Sequence, residues 1–296
     1  MNHIKDQIRC GAAYRLGLTG KGIGVAVLDT GIFLHRDFDS RVTGFADMVN
    51  GKTFAYDDCG HGTHICGIIG GSGRMSGGRY SGIAPGCDLV MVKVLDRKGN
   101  GYSSDVLAGI SWILERKEKL GIRILNISVG ACSKRGMSEN SALVKGVNRA
   151  WDAGLVVVVA AGNNGPRTMS ITTPGISRKV ITVGCSDDDR EVLVGGNRMD
   201  YSGRGPTAAC ICKPDLVAPG CSVVSCSSRA DKYTIKSGTS MSTPIVSGAV
   251  ALLLERFPDM TNKDVKLRLR ESSVDIGLPR NQQGWGLLDV GKMIGK

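Results

Sequence analysis

Aromatic side chains are scarce in this chain, with three Trp, six Tyr and five Phe among 296 residues. That is little material for the base-stacking platforms of a nucleic-acid groove. Long apolar runs are also missing: even residues 155–161 are bounded by Gly154 and Gly162, well short of the roughly 20 residues of a membrane span. Residues 1–19 contain Lys5, Asp6, Arg9 and Arg15 and lack the uninterrupted apolar core of an export signal, so a cytoplasmic location is expected. No Pro/Ser linker, charge block or internal repeat divides the sequence. The expected organisation is a short N-terminal extension and first helical segment over 1–20, then one domain over 21–296.

Ten cysteines without an export signal favour reduced thiols over a disulfide framework. Cys210, Cys212, Cys221 and Cys226 cluster in sequence, but their spacing is not the paired C-x-x-C of common zinc sites, and no metal site is expected from them. The net charge of +11 could suggest a nucleic-acid partner. Its Lys and Arg residues are dispersed, however, with acidic neighbours at 114–119 and 263–271, which reads as a solvated basic surface.

Short apolar runs at 24–28, 89–95, 122–127, 155–160 and 180–184 alternate with helical patterns. Val106, Ile110 and Ile113 mark one helix; Leu143, Val147 and Trp151 mark another. This alternation predicts an α/β fold in three layers, a mainly parallel sheet with helices on both faces. A long apolar helix is predicted from near Ser240 to Phe257, stopped by Pro258, with Pro244 in its first turn. Thr261 and Asp264 then form a capping-box pattern. Gly20-Lys21-Gly22-Ile23-Gly24 is Gly-rich but precedes its strand, the reverse of a dinucleotide loop.

Three short motifs carry chemistry: Asp29-Thr30-Gly31, His61-Gly62-Thr63-His64 and Gly238-Thr239-Ser240-Met241. Any one is weak evidence, since Asp29 alone is a turn residue and Ser240 alone an N-cap. Together, in the order Asp, His, Ser, they read as a nucleophile triad. With Leu125-Asn126-Ile127-Ser128-Val129-Gly130, Ala160-Ala161-Gly162-Asn163-Asn164-Gly165 and Val217-Ala218-Pro219-Gly220, the chain resembles the subtilisin-like serine proteases over most of its length, with details closest to the intracellular bacterial branch.

The resemblance implies a serine endopeptidase acting through an acyl-enzyme on peptides or unfolded proteins. Ser240 would be the nucleophile, His61 its base and Asp29 the group that orients the base. The side-chain amide of Asn163 would stabilise the oxyanion beside the Ser240 N–H, with Asn164 the competing candidate. His35 and His64 would be structural. Substrate backbone would pair with Gly99, Asn100 and Gly101 on one side and Ser128, Val129 and Gly130 on the other. Ala160, Ala161 and Gly162 would complete small apolar walls around the residue before the cut, with 166–173 as floor, so an apolar side chain should be preferred there. The competing reading is a catalytically silent peptide-binding protein on the same scaffold.

Three departures from the family pattern stand out. Cys59 lies two residues before His61, where a modified thiol would obstruct the cleft. The segment 70–82 has two Arg and neither carboxylates nor Asn, so the tight calcium site of secreted relatives is expected to be absent, with calcium elsewhere left open and no cofactor needed for the chemistry. Residues 1–9 are a candidate inhibitory extension.

Overall fold

The computed structural model describes residues 1–130, 139–188 and 200–295; Cys132 lies outside these. Nine strands are described, β1 (Gly24–Asp29), β2 (Val42–Asp47), β3 (Asp88–Lys93), β4 (Ile122–Ile127), β5 (Val156–Ala160), β6 (Ile181–Cys185), β7 (Leu216–Ala218), β8 (Val223–Cys226) and β9 (Tyr233–Lys236). The helices are α1 (Asn2–Gln7), α2 (Gly11–Tyr14), α3 (His61–Gly70), α4 (Ser103–Arg116), α5 (Ala142–Asp152), α6 (Thr239–Arg256), α7 (Asn262–Ser272), α8 (Arg280–Gln283) and α9 (Val290–Ile294).

Strands β1 to β7 form one sheet in the order β2-β3-β1-β4-β5-β6-β7, parallel at every pairing. Its central strands are buried throughout, as in Val25, Ala26, Val27 and Leu28 of β1 and Val156 to Val159 of β5. Branched apolar residues at consecutive positions suit strands covered on both faces. Helices α3 and α6 pack on each other and on the sheet, while α4 and α5 form a second pair. The result is the predicted three-layer α/β arrangement.

This strand order places the site. From β1 the chain runs to the edge strand β2 and returns to β3 beside β1, then crosses to the opposite side of β1 to lay down β4 and the strands beyond it. The reversal opens a crevice outside the carboxyl ends of β1 and β4. Asp29 is the last residue of β1, and Ser128 follows the last residue of β4.

Helix α6 is buried at every residue except Ser240, Glu255 and Arg256. A helix apolar on all sides belongs inside the fold, and its one open position near the start is Ser240. Pro244 is the sixth residue of α6, beyond the first turn where it was expected. It therefore gives the Ser240 carbonyl no i+4 N–H. The Thr261–Asp264 capping box forms in full, with Thr261 Oγ1 accepting from Asp264 N and the Asp264 carboxylate accepting from Thr261 N.

Residues 1–20 are part of the body. Ile4 and Ile8 are fully buried in the main core, the Val290 N–H donates to the Ile8 carbonyl at 2.8 Å, and the Lys5 ammonium donates to Ser81 Oγ. None of these residues lines the cleft described below. Buried Ile4 and Ile8 hold the candidate inhibitory segment 1–9 in the core, outside the cleft. Among the described residues, no helix is long and apolar enough to cross a membrane.

Candidate active site

Asp29 is fully buried, and both carboxylate oxygens face His61, with Nδ1 at 2.7 Å from Oδ1 and 2.9 Å from Oδ2. The Thr30 N–H also donates to Oδ1. An acceptor so placed fixes the proton on Nδ1 and leaves Nε2 as the basic nitrogen toward the cleft. Burial alone would lower the His61 pKa. The charge of Asp29 and its hydrogen bond outweigh that, against a smaller opposing effect of Lys236, and hold the pKa above the ordinary value.

His61 is the first residue of α3, and the turn before it is organised by Asp57. That carboxylate accepts from the N–H groups of Cys59, Gly60 and Thr63 and from the hydroxyls of Thr30 and Thr63. It satisfies helix-start donors that Gly60, lacking a side chain, cannot reach. Asp57 was missed from the sequence, although an Asp shortly before a helix start is a legible capping signal.

Ser240 stands in the second position of α6, with its backbone N–H at the positive end of the helix dipole. Its hydroxyl donates to the Ser128 carbonyl at 2.7 Å. Asn163, beyond the end of β5, is oriented by Thr239: Oδ1 accepts from the Thr239 N–H at 3.1 Å and from its hydroxyl at 3.0 Å. With the carbonyl oxygen so engaged, Nδ2 is the end of the amide turned toward Gly238, 3.2 Å from where a Cβ there would lie. Thr239 also accepts from the Gly162 N–H, tying the β5 loop to the serine-bearing helix.

A cleft of about 420 Å³ joins these groups. Its lining includes His61, Ser240 and Asn163 together with Gly99, Ser128, Val129, Gly130, Ala160 and Gly162 from the predicted substrate set, and Asn164. Asn100 and Gly101 instead line a neighbouring hollow of about 210 Å³ with Tyr102, Val106 and Leu143, which shares Gly99, Val129 and Gly130. Ala161 is a correction. It is fully buried behind the wall, packed with Val144, Ile171 and Ile176, its N–H donating to the Val183 carbonyl and its own carbonyl accepting from Thr172 N.

Residues 99–101 keep the turn character that Asn100-Gly101 has on local evidence. They lie in a turn after β3 closed by Asp96, which accepts from the N–H groups of Lys98 and Asn100. Thr172 was not singled out from the sequence, yet it shapes the pocket: a Cβ on Gly130 or Gly162 would come within 2.3 and 2.4 Å of its side chain. Both positions must stay glycine for Thr172 to stand where it does. Lys98 and Lys236 bring positive charge to the same cleft, which the small apolar walls did not suggest.

This arrangement has close counterparts. The model of the subtilase family matches residues 20–286. The chain belongs to the subtilase family. It is 42% identical over 290 residues to "Serine protease AprX" of Bacillus subtilis (strain 168), covering 92% of this chain and 65% of that protein. It is 34% identical to "Subtilisin BL" of Lederbergia lenta, covering 96% and 95% of the two chains. Among solved structures, "Sphericase" superimposes with a TM-score of 0.79 at 31% identity, over 92% of this chain and 93% of that one. This subtilase is a serine-type peptidase domain; it spans just under two thirds of the length of AprX.

His64 and His35 are structural in placement. His64 is fully buried and its Nε2–H donates to the carbonyls of Val223 and Thr234; burial, with the nearby charges of His61 and Lys236, pushes its pKa down to about 3. His35 is buried, with Nε2 against the Lys232 carbonyl and Nδ1 accepting from Asp37 N. Cys59 is exposed and lines the cleft with His61. None of the nine described cysteines is in a disulfide.

Proposed function

We propose that this subtilase is an endopeptidase that cleaves peptide bonds through an acyl-enzyme, with Ser240, His61, Asp29 and Asn163 as its catalytic groups. The observation that carries the reading is the pairing of buried Asp29 with His61 in the cleft that Ser240 enters from the start of α6. As substrate binds, the Ser240 hydroxyl leaves the Ser128 carbonyl and turns to His61 Nε2. That nitrogen takes the hydroxyl proton while Oγ attacks the peptide carbonyl carbon. The resulting oxyanion receives hydrogen bonds from the Ser240 N–H and Asn163 Nδ2. His61 then passes its proton to the departing amine. A water, deprotonated by His61, attacks the acyl carbon and releases the acid with Ser240 restored.

Peptides and unfolded proteins are the substrates of this reading. An apolar side chain before the cut fits walls made of Val129, Gly130, Ala160, Gly162 and the Thr172 methyl, and the apolar hollow beside Tyr102, Val106 and Leu143 can take a second one further upstream. We also propose that segment 70–82 is held without calcium: the Arg41 guanidinium donates to the carbonyls of Gly70, Cys87 and Asp37, supplying positive charge to oxygens that a hard cation would otherwise seek. A cytoplasmic setting fits thiols such as Cys66, Cys87 and Cys226 that pack as core residues.

The test is fluorophosphonate labelling of the protein beside Ser240→Ala, with casein and short peptides as substrates. Labelling and turnover confined to the parent are expected. A parent that takes no label would overturn the reading in favour of a silent peptide-binding protein.

A further inference from the structure

The cysteines that cluster in sequence do not cluster in space. Cys210 and Cys212 are exposed. Cys226 lies beside His35 and Asp37. Cys221, in the turn after β7, instead meets Cys185 at the end of β6, with Asp187 and Tyr201 between and around them.

One ligand atom from each of Cys185, Asp187 and Cys221 lies within 4.8 Å of the other two, and all three residues are buried. Cys185 Sγ is 3.2 Å from Asp187 Oδ1 and 3.4 Å from the Tyr201 hydroxyl, which is 3.3 Å from Cys221 Sγ. A tetrahedral zinc site has Zn–S near 2.3 Å and Zn–O near 2.0 Å, which sets its S···O edges at about 3.5 Å and its S···S edge at about 3.8 Å. Three of the edges here already lie close to those lengths. Two sulfurs beside a carboxylate suit a borderline-soft cation better than a hard one.

We propose that Cys185, Cys221 and Asp187, closed on the fourth side by the Tyr201 hydroxyl, form a structural site for one zinc ion. Binding converts both thiols to thiolates and releases two protons to solvent, leaving one negative charge on the two-thiolate, one-carboxylate complex. That charge is offset by the N–H groups of Gly220 and Cys221, which donate to Asp187 Oδ1 at 2.7 and 3.2 Å and hold the carboxylate in place. The site is linked to the start of α6: Cys185 Sγ would be 2.8 Å from a Cβ on Gly220, and the Gly220 carbonyl accepts from the N–H of Gly238, the N-cap of α6. An ion here braces the segment on which Ser240 stands.

The experiment uses the full chain carrying Ser240→Ala, reduced and freed of metal with a chelator, then titrated with Co²⁺ under argon. One equivalent is expected to produce thiolate-to-cobalt absorption in the near ultraviolet and tetrahedral d–d bands in the visible, both bleached by Zn²⁺. Cys185→Ser and Cys221→Ser are each expected to weaken binding about tenfold or more, while the exposed Cys212→Ser leaves it unchanged. Zinc should also shield two thiols from alkylation, mapped by mass spectrometry to Cys185 and Cys221, which decides the matter even if a Ser variant does not fold. A parent without these bands, bands that survive both substitutions, or protection mapped to other cysteines would overturn the site.

Discussion

Acid should loosen this subtilase through His64. The imidazole is buried and neutral, donating from Nε2 to two backbone carbonyls, and Nδ1 has no partner, so a second proton there would be a buried, unpaired charge. With a folded pKa of about 3 against roughly 6.5 for an exposed histidine, the unfolded chain binds the proton first as pH falls. Stability from this group is therefore intact above pH 6.5 and is lost progressively toward pH 3. Linkage gives a loss of about 2 kcal/mol between pH 7 and pH 5, growing to about 5 kcal/mol below pH 3. His61 works in the opposite direction, because its pKa is raised: its contribution is present at low pH and lost as pH rises through the folded value. Urea unfolding of Ser240→Ala at pH 7 and pH 5, beside the same protein carrying His64→Gln, isolates the term, since the other titrating groups are common to both. The variant starts less stable but should lose about 2 kcal/mol less on acidification. Equal losses in the two proteins would refute the reasoning.

Four other outcomes are expected. Asn163→Ala should lower kcat by about 10² to 10³ with little change in KM, a magnitude borrowed from the relative subtilisin in which the oxyanion donor was measured; an unchanged kcat would remove Asn163 from the mechanism. Thr239→Val should lower kcat by a smaller factor, because the Asn163 amide loses one of the two bonds that orient it; steady-state kinetics on a short peptide separate this from a binding defect. Deleting residues 1–9 should cost about 3 kcal/mol or more, from the burial of Ile4 and Ile8. Active-site titration should find turnover per folded molecule unchanged, and a rise would restore the inhibitory role. A bulky thiol reagent should reduce turnover of the parent by blocking the cleft at Cys59 while sparing Cys59→Ser; full modification of Cys59 without effect would contradict this.

The five strands expected from apolar runs all form, with ends shifted by a residue or two, because consecutive Val, Ile and Leu have few alternatives to a doubly covered parallel strand. β2 was not legible. Its residues are mostly half-buried at the sheet edge and include Gly44, so neither alternation nor an apolar run marks it. β7 has three residues, too few for a pattern. In the site, residue types that bear chemistry announced themselves through motifs, whereas the roles of Asp57, Thr172 and Thr239 did not, because their work lies in hydrogen bonds and packing to residues up to 77 positions away. Ala161 shows the converse: motif membership put it in the wall, but backbone pairing with Val183 and Thr172 turned it inward.

Local sequence thus determined the five inner strands, the start of α6 near Ser240 and the identity of the groups able to carry acyl transfer, since β-branching, helix starts and side-chain chemistry act over a few residues. Tertiary structure decided what those groups meet. The crossover between β3 and β4 opens the crevice at Asp29, the burial of that carboxylate sets the tautomer and basicity of His61, and the long-range approach of β6 to the turn after β7 brings Cys185 to Cys221. Distances of that kind arise from sheet order and packing, which sum contributions from the whole chain and leave no local mark.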